Sequence, residues 1–104
     1  MKKRIAVLLS NAGTGSNLQA IIAAVKGKKL DAVVALVVSD TPDAYGLVRA
    51  KKHRIPTRII DKQTNLTSLL KDTYHIDYIV LAGWKRIIPD SFIEAFSQRI
   101  LNIH

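Results

Sequence analysis

Between Ile5 and Gln19 an apolar run, a glycine-bearing loop and an amphipathic segment follow one another without a gap. No other stretch limits the fold as tightly. Ile5-Ala6-Val7-Leu8-Leu9 has the composition of a buried strand, the residues through Gly15 that of a tight connection, and Ser16 opens a helical pattern. A helix that starts beside a strand exit offers unpaired backbone N–H groups and the positive end of its dipole, which together suit an anion. Gly13 and Gly15 let the backbone take positive φ and approach a ligand without an intervening Cβ. Ser16 has N-cap chemistry, and Gln19 stands where a capping box needs it. The stretch therefore predicts a phosphate or carboxylate held at residues 13–17.

Two other readings compete with an anion site. A plain tight connection needs no ligand at all. Dinucleotide binding would use the Gly-x-Gly-x-x-Gly/Ala fingerprint, but Gly13-Thr14-Gly15-Ser16-Asn17-Leu18 puts a leucine where the last small residue belongs. Asp40, at the end of the second apolar run, can imitate the acid that binds a dinucleotide ribose.

The rest of the chain repeats the strand-then-helix pattern. Strands are expected over residues 4–10, 32–38, 57–60, 78–82 and 100–103, the first a near-continuous apolar run as for a strand covered on both faces. Helices are expected over residues 16–26, from Pro42 and Asp43 to about His53, over 66–74, and from Pro89 as first helical residue to about Ser97. Gly27 is placed to follow the first helix, Ile55-Pro56 to end the second, and Trp84 to Ile88 to form an irregular turn. Alternation at this spacing predicts a single α/β domain over residues 1–104: an open, mostly parallel, Rossmann-like sheet with helices on both faces. Ligands of such sheets bind outside the carboxyl ends of the strands. The loop at 10–17, Ser39-Asp40, the segment from Gly83 to Ile88, and Asn102 with His104 should therefore meet on one edge.

Composition narrows the chemistry. There is no cysteine, which excludes disulfides, thiolate metal sites and thiol catalysis, and the three histidines lack metal-ligand spacing. No metal is expected. Lys2-Lys3-Arg4 before Ile5 imitates a signal peptide, yet the apolar segment is too short, and no run approaches transmembrane length. The expectation is a cytoplasmic protein without membrane contact. Sixteen Lys and Arg against eight Asp and Glu give a net charge of +8. The cations cluster at a strand start and near two helix ends, where they are solvated, and their field would steer anionic ligands inward. No nucleic-acid module accompanies them, so no specific nucleic-acid partner is expected.

Four motifs occur in one order: Ser-Asn-Ala-Gly-Thr-Gly-Ser-Asn-Leu-Gln-Ala-Ile-Ile, Asp-Ala-Tyr-Gly-Leu-Val-Arg-Ala, Leu-Ala-Gly-Trp-Lys-Arg-Ile-Ile, and Arg-Ile-Leu-Asn-Ile-His. Together they resemble the phosphoribosylglycinamide formyltransferase family, folate-dependent enzymes of purine synthesis, over essentially the whole chain. The resemblance implies the amino-terminal half of a formyltransferase fold. It implies transfer of a formyl group from 10-formyltetrahydrofolate, as co-substrate, to the amine of glycinamide ribonucleotide. Gly15, Ser16 and Asn17 would hold the substrate phosphate. Arg86, Ile87, Ile88 and Ile93 would line the folate pocket, with Arg86 meeting the glutamyl tail. Asn102 and His104 would be catalytic: an amide N–H and an imidazolium both donate to a developing oxyanion, and histidine moves a proton near neutral pH.

This chain departs from the family in two respects. The loop through Gly15 is longer than the family's Ser-Gly-x-Gly form, and the family continues past the position of His104. The resemblance then implies that the Asp orienting the histidine lies outside these residues. The isolated chain would be inactive, and would pair with a carboxyl-terminal half or with itself. Two alternatives stand beside this one: a phosphate-binding Rossmann-like module without catalysis, and a sister folate-dependent formyltransferase.

Overall fold

The computed structural model describes residues 3–10, 16–27, 31–61, 63–84, 86 and 88–103. Five strands form one sheet: β1 (Lys3–Leu9), β2 (Ala32–Ser39), β3 (Thr57–Ile59), β4 (Tyr78–Ala82) and β5 (Ile100–Ile103). Their order is β3-β2-β1-β4-β5, and every pairing is parallel. The chain leaves β1 toward one side for β2 and β3, then returns past β1 for β4 and β5. The order therefore reverses beside β1, which opens a crevice at the carboxyl ends of β1 and β4.

Both faces of the sheet are covered. Ile5, Val7 and Leu9 of β1 pack with Leu18, Ile21 and Ile22 of α1 (Ser16–Lys26) and with Leu47 and Ala50 of α2 (Tyr45–Lys52). Ala6 and Leu8 point the other way, into a cluster with Leu69, Leu70, Phe92 and Phe96. Phe92 belongs to α4 (Asp90–Ala95), and its ring lies 5.0 Å from that of Phe96, centroid to centroid. Leu69 and Leu70 start a π-wound turn (Leu69–Thr73) that continues α3 (Leu66–Ser68). Full burial of side chains such as Leu8, Leu18, Leu36 and Phe92 contributes about 1.5–3 kcal/mol each.

A bulge in β2 shows how closely the faces are specified. Ile5 pairs with Val34 but Ala6 pairs with Leu36, so Ala35 is an extra residue. The bulge switches the strand's parity: Val34 and Val37 join one core cluster, while Ala35, Leu36 and Val38 join the other.

Three element boundaries differ from expectation. Helix α2 begins at Tyr45, with Ala44 extended before it, and Asp43 does not cap it. The cause is the turn leaving β2: Ser39 Oγ accepts from Thr41 N–H at 3.1 Å and donates to Thr41 O at 2.7 Å, which keeps the chain out of helix there. Pro89 is the extended residue before α4 rather than its first helical one, and α4 ends at Ala95. Helix exits use left-handed backbone at Arg54, His75 and Gln98, none of them glycine, whereas Gly27 does not adopt positive φ.

Candidate active site

One row of paired residues crosses the whole sheet. Ile59 pairs with Ser39, Ser39 with Leu9, Leu9 with Ala82, and Ala82 with Ile103. Whatever follows this row leaves the sheet on the same edge. The parallel pairing thus delivers Ile60, Asp40 and Gly83 to one place, and α1 starts on that edge because it must run back over the strands.

The edge is held by local chemistry. Asp40 sits in the turn fixed by Ser39 Oγ, and Ile60 N–H donates to Ser39 O at 2.9 Å. Gly83 turns the chain out of β4 at φ +75°, where a side chain would be strained. Three residues on, Arg86 Nε donates to Asp40 Oδ2 at 3.3 Å, tying the exits of β2 and β4 together. Asp40 Oδ1, Thr41 Oγ1 and Trp84 Nε1 are buried and have no hydrogen-bond partner among the described residues.

Beside the ion pair lies a cleft of about 370 Å³, lined by Ile60, Asp61, Thr64, Leu66, Trp84, Arg86, Ile88 and Pro89. Its rim at Asp61 is preorganised. Asp61 Oδ1 accepts from Gln63 N–H at 2.9 Å, from Thr64 N–H at 3.1 Å and from the Thr64 hydroxyl at 3.1 Å. The Gln63 bond, then the Thr64 hydroxyl, hold its carboxyl below the usual carboxylate range. The cleft therefore offers apolar walls, an indole, a guanidinium and a fixed carboxylate. Such a lining can hold a partly apolar ligand with polar groups at its ends.

A family model described as formyl transferase matches residues 3–104. The chain belongs to the formyl transferase family. It is 41% identical to the phosphoribosylglycinamide formyltransferase of Haemophilus influenzae over 98% of its length and 51% of that protein's. With the enzyme of the same name from Dictyostelium discoideum it shares 37% identity, over 100% of this chain and 60% of the other. The chain thus spans about half the length of the curated relatives it matches. The crystal structure of glycinamide ribonucleotide transformylase 1 from Geobacillus kaustophilus superposes with a TM-score of 0.87 at 36% identity, covering 100% of this chain and 58% of that one.

On this formyl transferase frame the residues singled out from the sequence separate into two groups. Ser16 and Asn17 open α1, and Gly15 lies outside the described residues. Arg86 and Ile88 share the cleft, and Ile87 lies outside the described residues. Ile93 is on α4, 47% exposed, and is not among the residues lining that cleft; its neighbour Phe92 is the one that enters the core. Asn102 is exposed on β5, paired with Leu81 one step before the end row, and His104 lies outside the described residues. Asp40, weighed as a ribose-binding acid, has one carboxylate oxygen engaged by Arg86.

Sequence reading missed the Asp40–Arg86 pair and the contribution of Trp84, Asp61, Thr64 and Leu66 to the cleft. Asp40 and Arg86 are 46 positions apart; the sequence put their segments on one edge, and the strand order decided that they pair. Asp61, Gln63 and Thr64 did carry a local signal, an Asx-type turn pattern that reads as preorganised backbone. Among the described residues no cluster of three or more His, Asp or Glu could hold a metal, and no helix is long and apolar enough to cross a membrane.

Proposed function

We propose that this chain carries the substrate-phosphate site, one wall of the folate crevice and the Asn–His pair of an enzyme that transfers formyl from 10-formyltetrahydrofolate to the amine of glycinamide ribonucleotide. The observation that carries the reading is the shared strand-end row, which gathers the start of α1, the Arg86 cleft and the end of β5 on one edge. Family membership and the names of the relatives support it.

The residues present fit such a co-substrate. The cleft supplies apolar contact from Ile60, Leu66 and Ile88, the indole of Trp84, and a cation in Arg86. When bound, the folate supplies the electrophilic formyl carbon. The amides at the start of α1 hold the ribonucleotide phosphate and set the distance of its amine from the formyl group. Asn102 donates an amide N–H to the carbonyl oxygen as negative charge grows there. His104, as an imidazolium, donates to the same oxygen, and the proton lost by the attacking amine goes to the departing folate nitrogen as the tetrahedral intermediate collapses. The family resemblance also assigns Ile87 and Ile93 to folate binding, Ile93 from outside the lining of this cleft.

The test combines the 104-residue chain with the half of the Haemophilus influenzae relative that it does not cover. Formylation of glycinamide ribonucleotide by the mixture, with neither half active alone, is the expected result. Asn102→Ala and His104→Ala should each lower kcat roughly 10²- to 10³-fold with KM nearly unchanged, as for groups that act on the transition state. A wild-type kcat in either variant removes that residue from the mechanism. Phosphate titration should shift the Ser16 and Asn17 amide signals selectively. Uniform shifts across the lysines would leave no phosphate site.

A further inference from the structure

We propose that Asp40 is a positioning residue for Arg86: it fixes the guanidinium through Nε so that the two terminal nitrogens are presented to a ligand carboxylate in the cleft. The proposal rests on the carboxylate-binding role given to Arg86 above, and adds the residue that makes that role geometrically specific.

The observations are local and consistent. Asp40 is anchored: the Ser39 hydroxyl closes the turn around it, and Ile60 N–H, just past the adjacent β3, donates to Ser39 O. Its side chain is 13% exposed and that of Arg86 is 37% exposed, so the carboxylate is the fixed member and the guanidinium the accessible one. The contact uses Nε. Arg86 Nη1 and Nη2 have no partner among the described residues, and Arg86 lines the cleft. A guanidinium held by Nε keeps its terminal fork free and in a set plane, as two-pronged recognition of a carboxylate requires.

The pair is also a poor device for stability. Asp40 Oδ1 is buried and has no hydrogen-bond partner among the described residues, so one oxygen of a mostly buried carboxylate goes unsatisfied. Such a group costs free energy that a single contact at 3.3 Å does little to offset. What the arrangement does provide is an immobilised Arg86. Ordering one long side chain before the ligand arrives removes a cost from binding.

The experiment uses the wild-type chain and three variants, Asp40→Ala, Asp40→Asn and Arg86→Lys. The probe is p-aminobenzoyl-L-glutamate, and binding is followed by the fluorescence of Trp84, the only tryptophan. Asp40→Ala should weaken binding roughly three- to tenfold, the effect of one unrestrained side chain. Asp40→Asn retains an acceptor for Nε and should stay near wild type. Arg86→Lys keeps the charge but loses the fork, so it should match Asp40→Ala. The Arg86 Nε–H NMR signal should persist in Asp40→Asn and exchange-broaden in Asp40→Ala, while the amides at the start of α1 stay unshifted, which separates positioning from unfolding.

Unchanged or tighter binding in Asp40→Ala, wild-type binding in Arg86→Lys, or no binding by the wild-type chain would each overturn the proposal. Folinic acid separates it from the folate reading. If Asp40 dependence is seen with the tail fragment while folinic acid binds no tighter, the positioning role stands and the folate assignment falls. If folinic acid binds tighter without Asp40 dependence, the assignment stands and the positioning role falls.

Discussion

The two edges of the sheet carry polar groups of similar kind and treat them differently. At the amino-terminal edge they are paired. Arg4 N–H donates to Asp77 Oδ2 at 2.8 Å, Asp77 N–H donates to Arg4 O at 2.8 Å, and Arg4 Nε donates to Tyr74 O at 2.9 Å. Lys26 Nζ lies 2.7 Å from His53 Nδ1 across the ends of α1 and α2. At the carboxyl-terminal edge three buried polar atoms, Asp40 Oδ1, Thr41 Oγ1 and Trp84 Nε1, lack hydrogen-bond partners among the described residues. Buried polar atoms are nearly always satisfied in folded proteins, so exceptions gathered on one edge set that edge apart from the other. The amino-terminal edge holds the fold, and under the proposed function the carboxyl-terminal edge would hold the chemistry.

The largest effect should come from breaking the paired edge. Asp77→Ala leaves Arg4 N–H without its acceptor and should cost about 1–3 kcal/mol of unfolding free energy, read by urea denaturation. Asp77→Asn should recover a good part of that loss, and ligand binding in the cleft should survive both. A next, opposite effect is expected at the other edge. Thr41→Val removes an unpaired hydroxyl at nearly constant shape, so stability should stay level or rise by up to about 1 kcal/mol. A clear loss would show that Thr41 Oγ1 is satisfied, and the contrast between the edges would then weaken.

Smaller still is the link between α1 and α2. Lys26→Ala should cost only about 0.2–1 kcal/mol because the pair is exposed, and chemical denaturation against His53→Gln would check whether the two losses overlap. The smallest effect concerns acid. Asp61 has its native pKa below the ordinary 3.8. Its contribution is complete above that unfolded value and is lost as pH falls through the lower native one. Asp61→Asn should therefore flatten the acid limb of the stability profile below about pH 4 and leave neutral stability almost unchanged. An acid limb identical to wild type would separate the cleft rim from acid stability.

The basic clusters at helix ends stand where the sequence placed them. The described members at helix ends, Lys26, Lys51, Lys52 and Arg54, lie on the amino-terminal edge, away from the cleft. Crossover helices in a parallel sheet finish where the next strand begins, and cations favour helix carboxyl ends. Their position follows from helix capping, and among the described residues Arg86 is the cation that lines the cleft.

The sequence by itself determined the elements and their alternation. Period-two and continuous apolar runs gave β1, β4 and β5 to within a residue, and the glycine-bearing loop announced the start of α1 at Ser16. Those features are local, written in neighbouring side chains. It also marked Arg86 and Ile88 through motif resemblance, without saying what Arg86 touches. Helix stops were less legible, because Arg54, His75 and Gln98 adopt left-handed backbone that no glycine advertised. Tertiary structure alone decided the strand order, the bulge at Ala35 that exchanges the faces of β2, and the ion pair that joins Asp40 to Arg86 on the edge where the sequence already expected both segments. Each depends on which strands lie side by side. That is settled by burying two apolar faces at once, a condition on the whole chain that no short window of sequence contains.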